Sequence, residues 1–159
     1  MKILLVVDCQ KEFVRDSRGQ KLYTDIIKYI SNHRIDYDEI WSTVYQNGDN
    51  VNMQRLLNWE NMFNIEELEY KADRYFLHSG YAPVNMDSLT SGDTVTIVGF
   101  DTDACVLATC FSLWDKQITI RILANGCYSS GGETMHQSGL CIMQRQFGNA
   151  LDMITRLDE

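Results

Sequence analysis

The sequence predicts an α/β fold: a single-domain, three-layer, Rossmann-like arrangement with a mostly parallel sheet and helices on both faces. Two observations carry this. The run Ile3 to Val7 is continuously apolar rather than alternating, which suits a strand buried on both faces, and Thr94 to Val98 and Ile118 to Leu123 read as further strands. Segments with apolar residues at helical spacing lie between or beyond them, and parallel strands need helical crossovers. A single proline, Pro83, and the absence of repeats or low-complexity stretches make residues 1–159 read as one uninterrupted domain.

The elements follow in order. Ile3-Leu4-Leu5-Val6-Val7 is the first strand, and Asp8 ends it. Leu22, Tyr23, Ile26, Ile27 and Ile30 recur at helical spacing and give an amphipathic helix. Glu39 to Tyr45, around Ile40, Trp41 and Val44, is the second strand. The middle, Gly48 to Asn85, is less legible; a short helix near Leu56 and an irregular strand over Lys71 to Phe76 are expected there. The turn Ser91-Gly92-Asp93 introduces the strand Thr94 to Val98. Val106, Leu107, Cys110, Leu113 and Trp114 form the next helical stripe, Ile118 to Leu123 the next strand, and Leu140, Met143 and Phe147 the face of a last long helix.

Composition narrows function. The chain carries 14 Lys+Arg against 22 Asp+Glu, a net charge of −8, with 45% hydrophobic residues. That suits a packed core and argues against duplex nucleic acid or an anionic membrane as partner, since both need a basic surface. The longest aliphatic run is too short for a membrane span or a signal-peptide core, so a cytoplasmic protein is expected. Five cysteines, Cys9, Cys105, Cys110, Cys127 and Cys141, form no C-x-x-C pair. They read as free thiols rather than a disulfide framework or a zinc knuckle.

In parallel sheets of this kind the site lies beyond the carboxyl ends of the strands. Asp8, Gly99 to Asp103, and Asn125 to Ser130 stand there. In Gly99-Phe100-Asp101-Thr102-Asp103-Ala104-Cys105 a strand ends, a tight loop follows, and a helix begins near Cys105, with Thr102 or Asp103 as a good N-cap. A cysteine in a first helical turn feels the positive end of the macrodipole, so its pKa is expected to fall, and the same turn's free N–H groups can hold an oxyanion. Asp8 is an available base, and Lys71 a cation in the middle region. Plainer readings stand beside these: Cys105 as a small buried helix residue, Asp8 as a loop cap, Lys71 as a solvated charge. His33, His78 and His136 are scattered, and none is placed in sequence for a Cys–His dyad.

These residues resemble a family. Val6-Val7-Asp8-Cys9-Gln10 followed by Phe13 is similar to the opening V-D-x-Q-x-x-F motif of the isochorismatase-like cysteine hydrolases, a superfamily that includes the nicotinamidases. Gly99-x-x-Thr102-x-x-Cys105-Val106, then Thr109, resembles its nucleophile segment; Ala124 to Ser130, His136 and Arg145 to Gly148 resemble the loop and helix that close the domain. The resemblance implies a triad of Asp8, Lys71 and Cys105. It implies a non-proline cis peptide between Phe100 and Asp101, an oxyanion hole from the N–H groups of Asp101 and Cys105, and a pocket lined by Phe13, Tyr75 and Phe76. It also implies a homo-oligomer.

Two departures refine this. Nicotinamidases of the family carry a D-x-H metal motif after the second strand; Thr43 to Met53 holds no histidine, and Asp49 alone builds no such site. The resemblance therefore implies no metal and no cofactor. Isochorismate-cleaving members lack the nucleophilic cysteine, so Cys105 points to a carbonyl substrate. The expectation is a metal-independent hydrolase cleaving the C–N bond of a small-molecule carboxamide or ureide through a thioester. Two alternatives remain: a vinyl-ether hydrolase of the isochorismate type using Asp8 without the thiol, and a non-catalytic oligomeric binding protein.

Overall fold

A computed structural model describes residues 1–48, 51–59 and 68–159. Six parallel strands form one sheet: β1 (Lys2–Val7), β2 (Glu39–Tyr45), β3 (Arg74–His78), β4 (Thr94–Phe100), β5 (Thr119–Tyr128) and β6 (Leu151–Asp152). Their order is β3-β2-β1-β4-β5-β6. Four helices accompany them among the described residues: α1 (Ser17–His33), α2 (Asn52–Leu57), α3 (Cys105–Asp115) and α4 (Glu133–Phe147). The α/β expectation holds, and the sheet is parallel throughout.

The sheet divides two cores, and β1 shows why its sequence is apolar without alternation. Ile3, Leu5 and Val7 pack with Val106, Cys110 and Leu113 of α3 and Leu140 and Met143 of α4. Leu4 and Val6 pack on the other face with Leu22, Tyr23, Ile26 and Ile30 of α1. All five strand residues are fully buried, and at about 25 cal/mol per Å² of apolar surface each contributes roughly 1.5–3 kcal/mol toward folding.

The order reverses between β1 and β4, and the crevice beyond their carboxyl ends is where such sheets hold ligands. Val7 is in register with Thr43 on one side and Gly99 on the other. Gly99 has φ +134°, and a Cβ there would lie 2.1 Å from the Val7 carbonyl oxygen, so only glycine lets β4 approach β1 at this point.

Two elements differ from expectation. β5 runs on through Tyr128, because a register shift after Ile97 lets Gly99 and Phe100 pair with Cys127 and Tyr128. Asn125 to Tyr128 are therefore strand, and only Ser129 and Ser130 lie in the loop beyond it. The strand expected over Lys71 to Phe76 lies at Arg74–His78 instead. It is an edge strand with only Phe76 buried, so its pattern in the sequence is faint. No described helix is long and apolar enough to cross a membrane.

Candidate active site

Asp8 leaves β1 in a left-handed conformation, φ 44°, uncommon for a residue with a side chain. β2 holds it there. The Asp8 N–H donates to the Thr43 carbonyl at 3.2 Å and lies 3.1 Å from Thr43 Oγ1. Gln10 extends the strand pairing with its side chain: Nε2 donates to the Tyr45 carbonyl at 3.1 Å, and Oε1 accepts from the Tyr45 N–H at 2.8 Å. The aspartate and glutamine of the V-D-x-Q stretch thus have distinct roles. One faces the crevice, and the other fixes the chain that presents it.

The Asp8 carboxylate is fully buried. Its Oδ1 accepts from Thr43 Oγ1 and from His78 Nε2, each at 2.7 Å. Its Oδ2 has no hydrogen-bond partner among the described residues. A buried charge needs pairing, and His78 is the ionisable partner that β3 supplies. Its side chain is 4% exposed, its ring meets Tyr45 edge-on at 5.8 Å, and its Nδ1 has no partner among the described residues.

Cys105 opens α3 on the other side of the crevice. Burial and then the neighbouring Asp8 carboxylate push its thiol well above its usual value, with Asp101 and Asp103 acting in the same direction. The sequence led to the opposite expectation, because the helix terminus was visible in it and the ring of carboxylates was not. Tyr45 lies in the same field: burial, then Cys105 and Asp8, push its hydroxyl up to about 12.

The loop before Cys105 is tied to β5 and α4. The Phe100–Asp101 peptide is cis. Asp101 turns its carboxylate to the loop after β5, taking 2.9 Å and 2.5 Å hydrogen bonds from the Ser130 N–H and Oγ. Burial raises this carboxyl to about 6. Thr102 Oγ1 lies 2.6 Å from His136 Nδ1, and Asp103 Oδ1 accepts from Ser129 Oγ at 2.5 Å. Neither side chain caps α3, contrary to expectation: the N-cap is Ala104, with no side-chain hydrogen bond. The first-turn N–H groups of α3 therefore turn to the backbone or stay without a side-chain cap. The Ala104 and Val106 N–H groups both donate to the Asp101 carbonyl. Among the described residues, those of Asp101 and Cys105 find no acceptor.

The remaining expected site residues separate. Phe13 is buried and packs with Tyr45 and Trp59 at centroid distances of 6.1 and 6.2 Å, so an aromatic group stands beside the Asp8–His78 pair. Phe76 belongs to the core under the sheet, against Trp41 at 5.0 Å. Tyr75 is on the opposite face of this edge strand, 38% exposed, its hydroxyl accepting from the Ala72 N–H. Neither lines the crevice.

Lys71 is not brought to Asp8. Asp73 is anchored to Ile40 by two 2.7 Å hydrogen bonds at the amino-terminal part of β2. Lys71 lies two residues further back and is exposed. Three residues of strand, roughly 10 Å, separate Ile40 from Thr43 beside Asp8. His78 is in register with Tyr45 at the carboxyl end, so the strand's direction delivers its last residue, not the one before it. The missed signal is positional. The carboxyl-end rule that singled out Asp8 selects His78 once β3 is placed at 74–78.

The donor set does not fit a metal centre. Among the described residues no three His, Cys, Asp or Glu side chains converge on one point. His33 is engaged with Asp36, His78 with Asp8 and His136 with Thr102. Asp49 lies outside the described residues.

Residues 85–155 match the isochorismatase domain model. The fold is that of an isochorismatase-like hydrolase from Alkaliphilus metalliredigens (18% identity, 99% of this chain and 95% of that one, TM-score 0.73). A pyrazinamidase/nicotinamidase from Streptococcus mutans is similar (18%, 96% and 100%, 0.75). So is an N-carbamoylsarcosine amidase from Thermoplasma acidophilum (18%, 99% and 97%, 0.78). No curated protein sequence is a significant match.

Proposed function

We propose that this chain is an isochorismatase-like cysteine hydrolase that cleaves the C–N bond of a small-molecule carboxamide or ureide. One observation carries the reading: a buried carboxylate between His78 and Cys105, with one oxygen held by two donors and the other without a partner. That is the arrangement of a base aimed at a thiol. The amidases among the structural neighbours are consistent with it.

The steps follow from these groups. Asp8 Oδ2 takes the Cys105 proton as Sγ bonds to the substrate's carbonyl carbon. The carbonyl electron pair moves to oxygen, and the N–H groups of Asp101 and Cys105 hold that oxyanion. The intermediate collapses, the C–N bond breaks, and the amine leaves with the proton from Asp8. Water then adds to the thioester, losing a proton to Asp8. Cys105 departs and recovers that proton. His78, donating to Oδ1 throughout, holds the carboxylate in place, at the position that the family resemblance gave to Lys71. Because burial and Asp8 favour the protonated thiol at rest, proton transfer is concerted with attack rather than completed before it.

Ammonia release from a panel of carboxamides and ureides tests this, run on the wild type, Cys105→Ala and Asp8→Asn. Both variants are expected to lose at least about 10³-fold in kcat/KM. Undiminished turnover by Cys105→Ala would remove the thioester route and favour ether cleavage through Asp8.

A further inference from the structure

We propose that the site selects uncharged amides and rejects substrates bearing a carboxylate, an inference that rests on the cysteine-hydrolase reading above. Three carboxylates surround Cys105: Asp8 across the crevice, and Asp101 and Asp103 in the loop that leads into α3. The last two are fixed in place by Ser130 and Ser129. The only basic side chain paired into the crevice among the described residues is His78, and Asp8 already takes its Nε2.

The cations nearest in sequence are committed elsewhere: Lys11 to Glu69, Arg18 to Glu133 and Arg74 to Glu39. Residues 49, 50 and 60–67 contribute Asp49, Glu60, Glu66 and Glu67 and no Lys, Arg or His, so they bring no compensating charge wherever they lie. Met53, Leu56, Leu57 and Tyr81 line a neighbouring groove together with Asn52 and Ser79, with no basic side chain among its lining residues, and Tyr81 is close enough to Tyr45 to act on its hydroxyl.

Two buried polar atoms, Asp8 Oδ2 and His78 Nδ1, have no hydrogen-bond partner among the described residues. Recognition of a carboxylate usually needs a bidentate arginine or a lysine. Here the charged side chains that act on Cys105 are the carboxylates of Asp8, Asp101 and Asp103, and the low dielectric of a buried site strengthens their repulsion of an anion.

The test uses two alkylating agents of nearly equal size, neutral iodoacetamide and anionic iodoacetate, at pH 9 and low salt. Labelling at each cysteine is read by mass spectrometry, and the exposed Cys141 normalises for intrinsic reactivity. The iodoacetamide-to-iodoacetate rate ratio at Cys105 is expected to exceed that at Cys141 by roughly tenfold. It should shrink in Asp103→Asn and in 0.5 M salt. Equal ratios at the two cysteines, or a preference of Cys105 for iodoacetate, would overturn the inference. Faster Cys105-dependent turnover of carboxylate-bearing amides than of their neutral counterparts would also overturn it, while leaving the hydrolase reading intact. If neither reagent reaches Cys105 while Cys141 is fully labelled, the thiol reading and this inference fall together.

Discussion

Asp8 and His78 sit at the carboxyl ends of two strands that do not touch, with β2 between them, yet His78 Nε2 reaches Asp8 Oδ1 at 2.7 Å. Thr43 of the intervening strand donates to the same oxygen. Replacing His78 with alanine removes one of two donors and leaves the carboxylate buried with one. That is expected to lower kcat/KM by about 10²-fold or more and to cost on the order of 3 kcal/mol of stability. His78→Gln offers a donor without charge, and His78→Lys a charge with a different reach. If His78 supplies charge as well as a hydrogen bond, lysine recovers more activity than glutamine, with circular dichroism showing all variants folded. Full activity in the glutamine variant would reduce His78 to a hydrogen-bond donor.

The thiol should behave as a masked nucleophile in the absence of substrate. With burial and Asp8 both raising its proton affinity, Cys105 is expected to react with iodoacetamide more slowly than Cys141 at pH 7.5. Its rate should keep climbing above pH 9. In Asp8→Asn the neighbouring charge is gone, so the inflection moves to lower pH while turnover is lost. Peptide-resolved labelling across pH 6–10 separates these effects. An inflection for wild-type Cys105 below that of Cys141 would contradict the geometry.

The sequence was most informative where a residue is buried on both sides or where a strand meets a turn. The β1 run, Asp8 at its end, and the Gly99 to Cys105 loop could be read because continuous apolar runs and a glycine-to-helix transition leave strong local patterns. β3 left little: a single buried side chain, Phe76, in an edge strand gives no periodicity. The strand was expected a few residues too early, and Lys71 was placed where His78 stands. The long-range ties were out of reach for another reason. That Asp101 would bond Ser130, and Thr102 pair with His136 rather than cap α3, depends on how β5 and α4 return to the loop. Nothing local in Asp101-Thr102-Asp103 distinguishes a capping role from these.

Asp101 makes stability depend on pH in a definite direction. Its carboxyl is raised from 3.8 to about 6, chiefly by burial. The folded state therefore holds this proton more tightly than the unfolded chain does. Stability from this group is fully present below about pH 4 and is lost as pH rises through about 6. At about 1.4 kcal/mol for each tenfold change in proton affinity, the ceiling is roughly 3 kcal/mol. Asp101→Asn removes the penalty and keeps an oxygen to accept from the Ser130 N–H. Thermal melts should show the variant stabilised over the wild type at pH 7.5 and indistinguishable from it at pH 4.5. Equal stabilisation at both pH values would mean that the carboxyl titrates normally.

Gly139 links α4 to the catalytic loop without touching any reacting group. A Cβ at this position would lie 2.9 Å from the Thr102 carbonyl oxygen and 3.0 Å from the Asp103 nitrogen. Those are backbone atoms, so no side chain can swing aside; either the helix or the loop must move. Overpacking of this kind typically costs about 1–3 kcal/mol. The larger consequence is geometric, because the displaced segment leads directly into the Cys105 turn. Gly139→Ala is expected to reduce kcat by tenfold or more while Cys105 remains alkylatable and the melting transition stays cooperative. Ser138→Ala, on the exposed side of the same helix with its hydroxyl bonded to the Thr134 carbonyl, should change stability by less than about 0.5 kcal/mol and leave turnover unaltered. If both variants behave alike, α4 does not set the position of the loop, and the nucleophile is held by β4 and β5 alone.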